Sequence, residues 1–124
     1  MKKFICLPGG GMEQNESIKK ALQREFREEL GIEINIKAPV LIGEDKNRQL
    51  DKHSIHLIFT AYILRGEPVI NPAKTTAKEV RWIAINNIDN VNLYPDVGRY
   101  IQKITDEGFK GCIYVNDVMK RVWF

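Results

Sequence analysis

GGMEQNESIKKALQREFREELGI, residues 10–32, sets three glutamates, Glu25, Glu28 and Glu29, into a stretch whose apolar spacing marks a packed helix. Ile18, Ala21, Leu22, Phe26 and Leu30 recur at intervals of three and four, which predicts an amphipathic helix over 17–30. Ser17 suits the N-cap, where a hydroxyl accepts from an otherwise orphaned amide, and Gly31 suits a left-handed exit from the last turn. With successive side chains about 100° apart, the apolar residues fan across one arc and Lys20, Gln23, Arg24 and Arg27 lie opposite. Glu25 and Glu29 fall inside the apolar arc and Glu28 at its margin.

Carboxylates one turn apart on a packed face repel one another and lose hydration, and both effects demand a compensating cation. Arg24 can pair with Glu28 four residues on, yet one guanidinium is a poor match for three carboxylates along a different line. A divalent metal meets the need. Hard carboxylate oxygens with no His or Cys among them suit magnesium or manganese better than zinc. Upstream, Pro8-Gly9-Gly10-Gly11 follows the apolar run 4–7, and its glycines let a phosphate or metal approach the main chain. It is neither a Walker loop, since no Gly-Lys-Ser/Thr follows, nor a dinucleotide fingerprint, since the G-x-G-x-x-G spacing fails at Gln14.

The segment resembles the signature of the Nudix hydrolase superfamily, G-x5-E-x7-R-E-U-x-E-E-x-G-U, with U a bulky apolar residue. Gly10, Glu16, Arg24-Glu25-Phe26, Glu28-Glu29 and Gly31-Ile32 match every fixed position. The resemblance implies an α/β fold, a mixed sheet sandwiched between helices, and metal-dependent hydrolysis of a nucleoside diphosphate linked to another group. It further implies metal ligation by Glu25, Glu29 and Glu28 with the Gly9 carbonyl, and a Glu16–Arg24 pair that orients loop and helix together with Gly10 and Gly31. The general base would be Glu25 or Glu28, with Glu79 as a candidate outside the motif. Markers that members acting on ADP-ribose or diadenosine polyphosphates carry beyond the motif are absent at Asn47, Arg48 and Gln49, so the expected substrate is a nucleoside triphosphate. A Nudix-derived domain that binds nucleotide without turnover is the alternative, as is a product truncated at its start. Members of the family carry two strands ahead of the one leading into Pro-Gly-Gly, and here only 2–7 precede it.

The rest of the composition is ordinary. A chain of 124 residues, 44% hydrophobic and 28% charged, suits one domain with a modest core. A formal charge of +3 with scattered basic residues argues against nucleic-acid binding. No apolar run is long enough for a membrane helix, and Met1-Lys2-Lys3 with four apolar residues is too short for a signal peptide, so a cytoplasmic protein is expected. Cys6 and Cys112 lack any CxxC pattern and read as free buried thiols.

Beyond the motif, 34–42 reads as a strand interrupted near Pro39, 43–52 as a polar loop, and 54–64 as a central strand. Residues 66–77 read as a connection and 80–83 as a further strand, with Trp82 in the core. A helix over 96–106 would pack Val97, Ile101 and Ile104. Residues 112–124 read as a C-terminal β-hairpin with Trp123 as its anchor, appended to a core of 1–111 and filling vacant sheet positions in its own chain or in a homodimer partner. His53 and His56, three apart on a strand, face opposite sides and cannot grip one metal. Arg48, His56 and Tyr94 are the remaining candidates for contacts with a nucleotide.

Overall fold

The structure is a computed structural model, described over residues 5–47 and 51–118. The elements are β1 (Ile5–Cys6), α1 (Ile18–Leu30), β2 (Glu33–Asn47), β3 (Lys52–Arg65), a 3-10 helix (Ile85–Asn90), β4 (Leu93–Tyr94), α2 (Gly98–Asp106) and β5 (Ile113–Val115). One sheet has the order β3-β2-β5, and a smaller one pairs β1 with β4 in parallel. β5 runs parallel to β2. The short link between β2 and β3 is far too brief for a parallel crossover, which requires a dozen residues or more, so those two pair antiparallel and the sheet is mixed. The expected mixed α/β class is therefore the one adopted.

The chain divides into two compact units. The first takes the described residues among 1–7, 39–59 and 83–124, and the second takes 8–38 and 60–82. In the first, Val40, Leu41, Ile88, Leu93, Val97, Ile104 and Val118 form a buried cluster, with Ile5, Leu7 and Ile101 packed on it. α2 begins at Gly98, where a Cβ would lie 2.6 Å from the Ile88 carbonyl oxygen, so glycine is what lets the helix start against the 3-10 segment. In the second unit, Ile32, Ile34 and Ile36 are buried while Glu33, Asn35 and Lys37 are less so, the period of two expected of a half-covered strand.

Several expectations are corrected. β2 passes through Pro39 without interruption and continues to Asn47, taking in half of the expected polar loop. Its extension has partners: Leu41, Ile42 and Gly43 pair with Ile113, Tyr114 and Val115, and the Val118 amide donates to the Glu44 carbonyl at 3.0 Å. Among the described residues β2 lies between β3 and β5, so β3, expected as a central strand, stands at the edge of that sheet. Residues 80–83 form no strand, because the Val80/Trp82 alternation finds no ladder partner among the described residues, and Trp82 is 78% exposed instead of in the core. Cys6 and Cys112 are free as expected but exposed, each lying at a sheet edge or loop with no apolar cover. The first arm of the C-terminal hairpin is β5, which joins β2, while β1 is paired by β4; residues 119–124, Trp123 included, lie outside the described residues. No helix among the described residues is long and apolar enough to cross a membrane.

Candidate active site on the acidic helix

α1 is closed at both ends by the residues its sequence nominates. The Lys20 amide donates to Ser17 Oγ at 3.2 Å, and Gly31 takes the left-handed conformation at φ 69° while its N–H donates to the Arg27 carbonyl. Caps fixed in this way set the rotation of the helix, and with it the direction of each glutamate.

Arg24 organises the face. Its Nε donates to Glu16 Oε2 at 2.8 Å and its Nη2 to Glu16 Oε1 at 3.0 Å, a bidentate grip; Nη2 also donates to the Gly11 carbonyl at 3.0 Å. Nη1 donates to Glu25 Oε1 at 2.9 Å and Glu28 Oε2 at 3.3 Å. Glu16 in turn accepts from the Glu13 amide at 2.8 Å. The planar fork therefore ties the glycine loop, the pre-helical turn and the helix to one point, a task for which a lysine lacks the geometry. The Arg24 bond holds the Glu16 carboxyl below the usual range, with the Glu13 amide adding to the effect, and Glu16 in return makes Arg24 a still weaker acid. Arg24 Nη1 thus reaches two of the three helix glutamates, Glu28 among them by the four-residue spacing noted in the sequence, and makes no ion pair with Glu29 among the described residues.

Glu29 is different. No ion pair reaches it among the described residues, and its pKa is raised, first by burial and then by a hydrogen bond and charge from Glu25 and the charge of Glu28. Glu25 and Glu29 thus lie within hydrogen-bonding reach of each other beside the Arg24 cluster. Gly10 meets Glu25 from the loop side: a Cβ there would lie 2.3 Å from the Glu25 carboxyl carbon, so the loop can lie against the carboxylate only as glycine. Gly9 has no such neighbour.

Among the described residues no three acidic, His or Cys side chains converge as a ready-made cation cage. The converging Glu25–Glu29 pair nevertheless suits magnesium or manganese, because magnesium characteristically takes one or two protein carboxylates and completes its shell with water and substrate phosphates. A cation held by these oxygens would offset both the burial of Glu29 and the charge of Glu25 and Glu28 beside it.

A segment read from the sequence as a plain connection is part of this site. The last carbonyls of a helix lack partners within it. Here Val69 N donates to Leu30 O at 3.0 Å, Asn71 N to Glu29 O at 2.9 Å and Asn71 Nδ2 to Glu28 O at 3.2 Å. Gly66, at φ 89°, brings the chain back, a Cβ on it falling 3.0 Å from the Gly31 carbonyl oxygen. The signal available in sequence was Asn71-Pro72, a turn-initiating pair.

The other candidates are distributed as follows. In the first unit, His56 meets Tyr94 edge to face with ring centres 5.7 Å apart, and burial lowers the His56 pKa while its Nε2 finds no hydrogen-bond partner among the described residues. His53 faces the other way and bonds Glu44 at 2.6 Å, as the strand period requires. Glu79 is engaged by Arg81 at 2.8 Å and makes no hydrogen bond or ion pair to α1 among the described residues. Arg48 lies outside the described residues.

Comparison with known proteins agrees with this geometry. The family model described as NUDIX domain matches residues 2–104. An ADP-ribose pyrophosphatase of Methanocaldococcus jannaschii is 30% identical over 87 residues, 70% of this chain and 50% of that protein, so the chain spans about half the length of the curated relative it matches.

Proposed function

This chain belongs to the NUDIX domain family, and from that membership together with the carboxylate cluster on α1 we propose that it is a metal-dependent pyrophosphohydrolase acting on a nucleoside diphosphate derivative. The observation that carries the reading is the arrangement around Arg24: one guanidinium orders Glu16, Glu25 and Glu28, and leaves Glu25 and Glu29 facing each other beside the Gly10 loop.

In this reading Glu25 and Glu29 hold magnesium or manganese, with Glu28 and the Gly9 carbonyl as further ligands. When bound, the metal screens the pyrophosphate charge and lowers the pKa of water. Glu28 is more exposed than Glu25, 39% against 16%, which supports assigning it the role of taking the proton as water oxygen bonds to phosphorus. The bridging P–O bond breaks, its electron pair leaves on the departing phosphate, and a nucleoside monophosphate and the phosphorylated second group result. Arg24 and Glu16 act as positioning residues, keeping the loop and helix in register.

The similarity to an ADP-ribose pyrophosphatase favours ADP-ribose over the nucleoside triphosphate expected from the sequence. The test is phosphate-product release from a panel of ADP-ribose, nucleoside triphosphates and sugar nucleotides with magnesium, in the native chain and in Glu28→Gln and Glu29→Gln. Turnover that is abolished by chelation and falls at least about a hundredfold in both variants supports the proposal. Nucleotide binding with no turnover of any substrate overturns it in favour of a binding domain.

A further inference from the structure

Beside Glu29 lies an open cleft of about 400 Å³, lined by Glu29, Pro72, Ala73, Lys74, Thr75 and Thr76. Its volume is within the range of about 300–1,000 Å³ common to small-molecule sites. The rest of the lining is one turn of chain, 72–76, whose shape is fixed at Asn71. The Asn71 carbonyl accepts from Lys74 N at 3.0 Å and Thr75 N at 3.1 Å, and its Oδ1 accepts from Ala73 N at 3.1 Å. The same residue is bonded to the Glu28 and Glu29 carbonyls. Asn71 therefore joins the turn rigidly to the helix backbone that carries the carboxylates, and the distance between Lys74 and Glu29 is set by hydrogen bonds.

We propose that this turn is the phosphate-positioning wall of the site: Lys74, assisted by the Thr75 and Thr76 hydroxyls, holds the phosphate oxygens of the substrate that turn away from the carboxylates. The inference rests on the pyrophosphohydrolase reading and deepens it. The chemistry of the lining determines the ligand. A cation and two hydroxyls complement phosphate oxygens, and among the described residues no aromatic ring lines the cleft to stack on a base, so its occupant is the pyrophosphate arm and not the nucleobase. Glu29 and Lys74 also give the lining both signs of charge, so a metal, when bound, would be held by the carboxylate while Lys74 would meet phosphate oxygens that the metal does not screen. Asn71 is a positioning residue here.

The probe is inorganic pyrophosphate with magnesium, its binding measured by titration calorimetry on the full chain. Lys74→Met, which keeps the apolar stem, is compared with Lys74→Arg and with Lys78→Met, an exposed lysine outside the cleft. Loss of a charge-assisted contact predicts affinity about ten- to a hundredfold weaker in Lys74→Met, largely restored in Lys74→Arg and unchanged in Lys78→Met. Unchanged affinity in Lys74→Met overturns the proposal, and so does an equal loss in Lys78→Met, which would make the effect one of net charge. Turnover is scored separately on the nucleotide panel. Absence of turnover in the native chain overturns the enzymatic reading, while the pyrophosphate titration still decides the role of Lys74.

Discussion

Arg24 grips both carboxylate oxygens of Glu16, Nε to Oε2 at 2.8 Å and Nη2 to Oε1 at 3.0 Å, while the same guanidinium reaches Glu25 and Glu28 through Nη1. Eight residues of separation are bridged by one planar group, and the loop, the turn and the helix are held as one unit because of it. Arg24→Lys retains the charge but not the fork. Turnover in that variant should fall by roughly a hundredfold or more, with far-UV circular dichroism unchanged, and Glu16→Gln should fall similarly. Activity within a few-fold of native in Arg24→Lys would show that charge alone suffices.

Gly10→Ala separates folding from site geometry. The new methyl would meet the Glu25 carboxyl carbon at 2.3 Å, and that carboxyl is the far end of a flexible side chain, so Glu25 swings away while the backbone stays. Manganese affinity, followed by electron paramagnetic resonance, should weaken at least about tenfold with little change in melting temperature. Gly11→Ala, with open space at its Cβ position, is the matched control and should bind manganese as the native chain does.

Tyr114 and Glu44 predict a pH window for stability. Tyr114 Oη donates to Glu44, whose pKa is lowered first by that bond and then by His53, from an ordinary 4.5; Tyr114 itself is raised from 10.0 by the same bond. A lowered carboxyl contributes stability above its unfolded value and loses it as pH falls through the folded one. A raised phenol contributes below its unfolded value and loses it as pH rises through the folded one. Tyr114→Phe should therefore melt at a lower temperature than the native chain across neutral pH, with the gap closing in acid below the Glu44 titration and again in strong alkali. A gap of constant size from acid to alkali would assign the loss to packing instead.

The cluster around Leu41 should show the ordinary cost of a cavity. Leu41 is fully buried, and Leu41→Ala should destabilise by about 2–5 kcal/mol in urea titrations at unchanged slope. Gly98→Ala forces a methyl to 2.6 Å from the Ile88 carbonyl oxygen, a backbone atom that cannot swing aside, and should cost about 1–3 kcal/mol.

Much of residues 10–32 was legible in the sequence, because the caps of the helix and the faces its side chains share are set locally. The Ser17 cap, the Gly31 exit and the placement of Glu25 and Glu29 near one another follow from helical geometry, while the Glu16–Arg24 pair was expected from the resemblance of the motif. The buried Ile32, Ile34 and Ile36 followed for the same reason, from a period of two. Where the reading failed, the decisive partner was distant. Glu44 remains in a strand because Val118 and β5 bond that part of β2, and 80–83 form none because nothing pairs with them among the described residues.

What the sequence determined by itself was the family and the chemical character of the acidic helix, since fixed spacings on a helix translate directly into shared faces. What tertiary structure alone decided was the turn bonded to the end of that helix. Asn71 lies 43 residues from Glu28 in the chain, yet its side-chain amide meets the Glu28 carbonyl. No periodicity encodes such a contact: a helix must leave its last carbonyls without internal partners, but which distant segment supplies the donors is settled only when the chain returns at Gly66 and sets Lys74 beside Glu29.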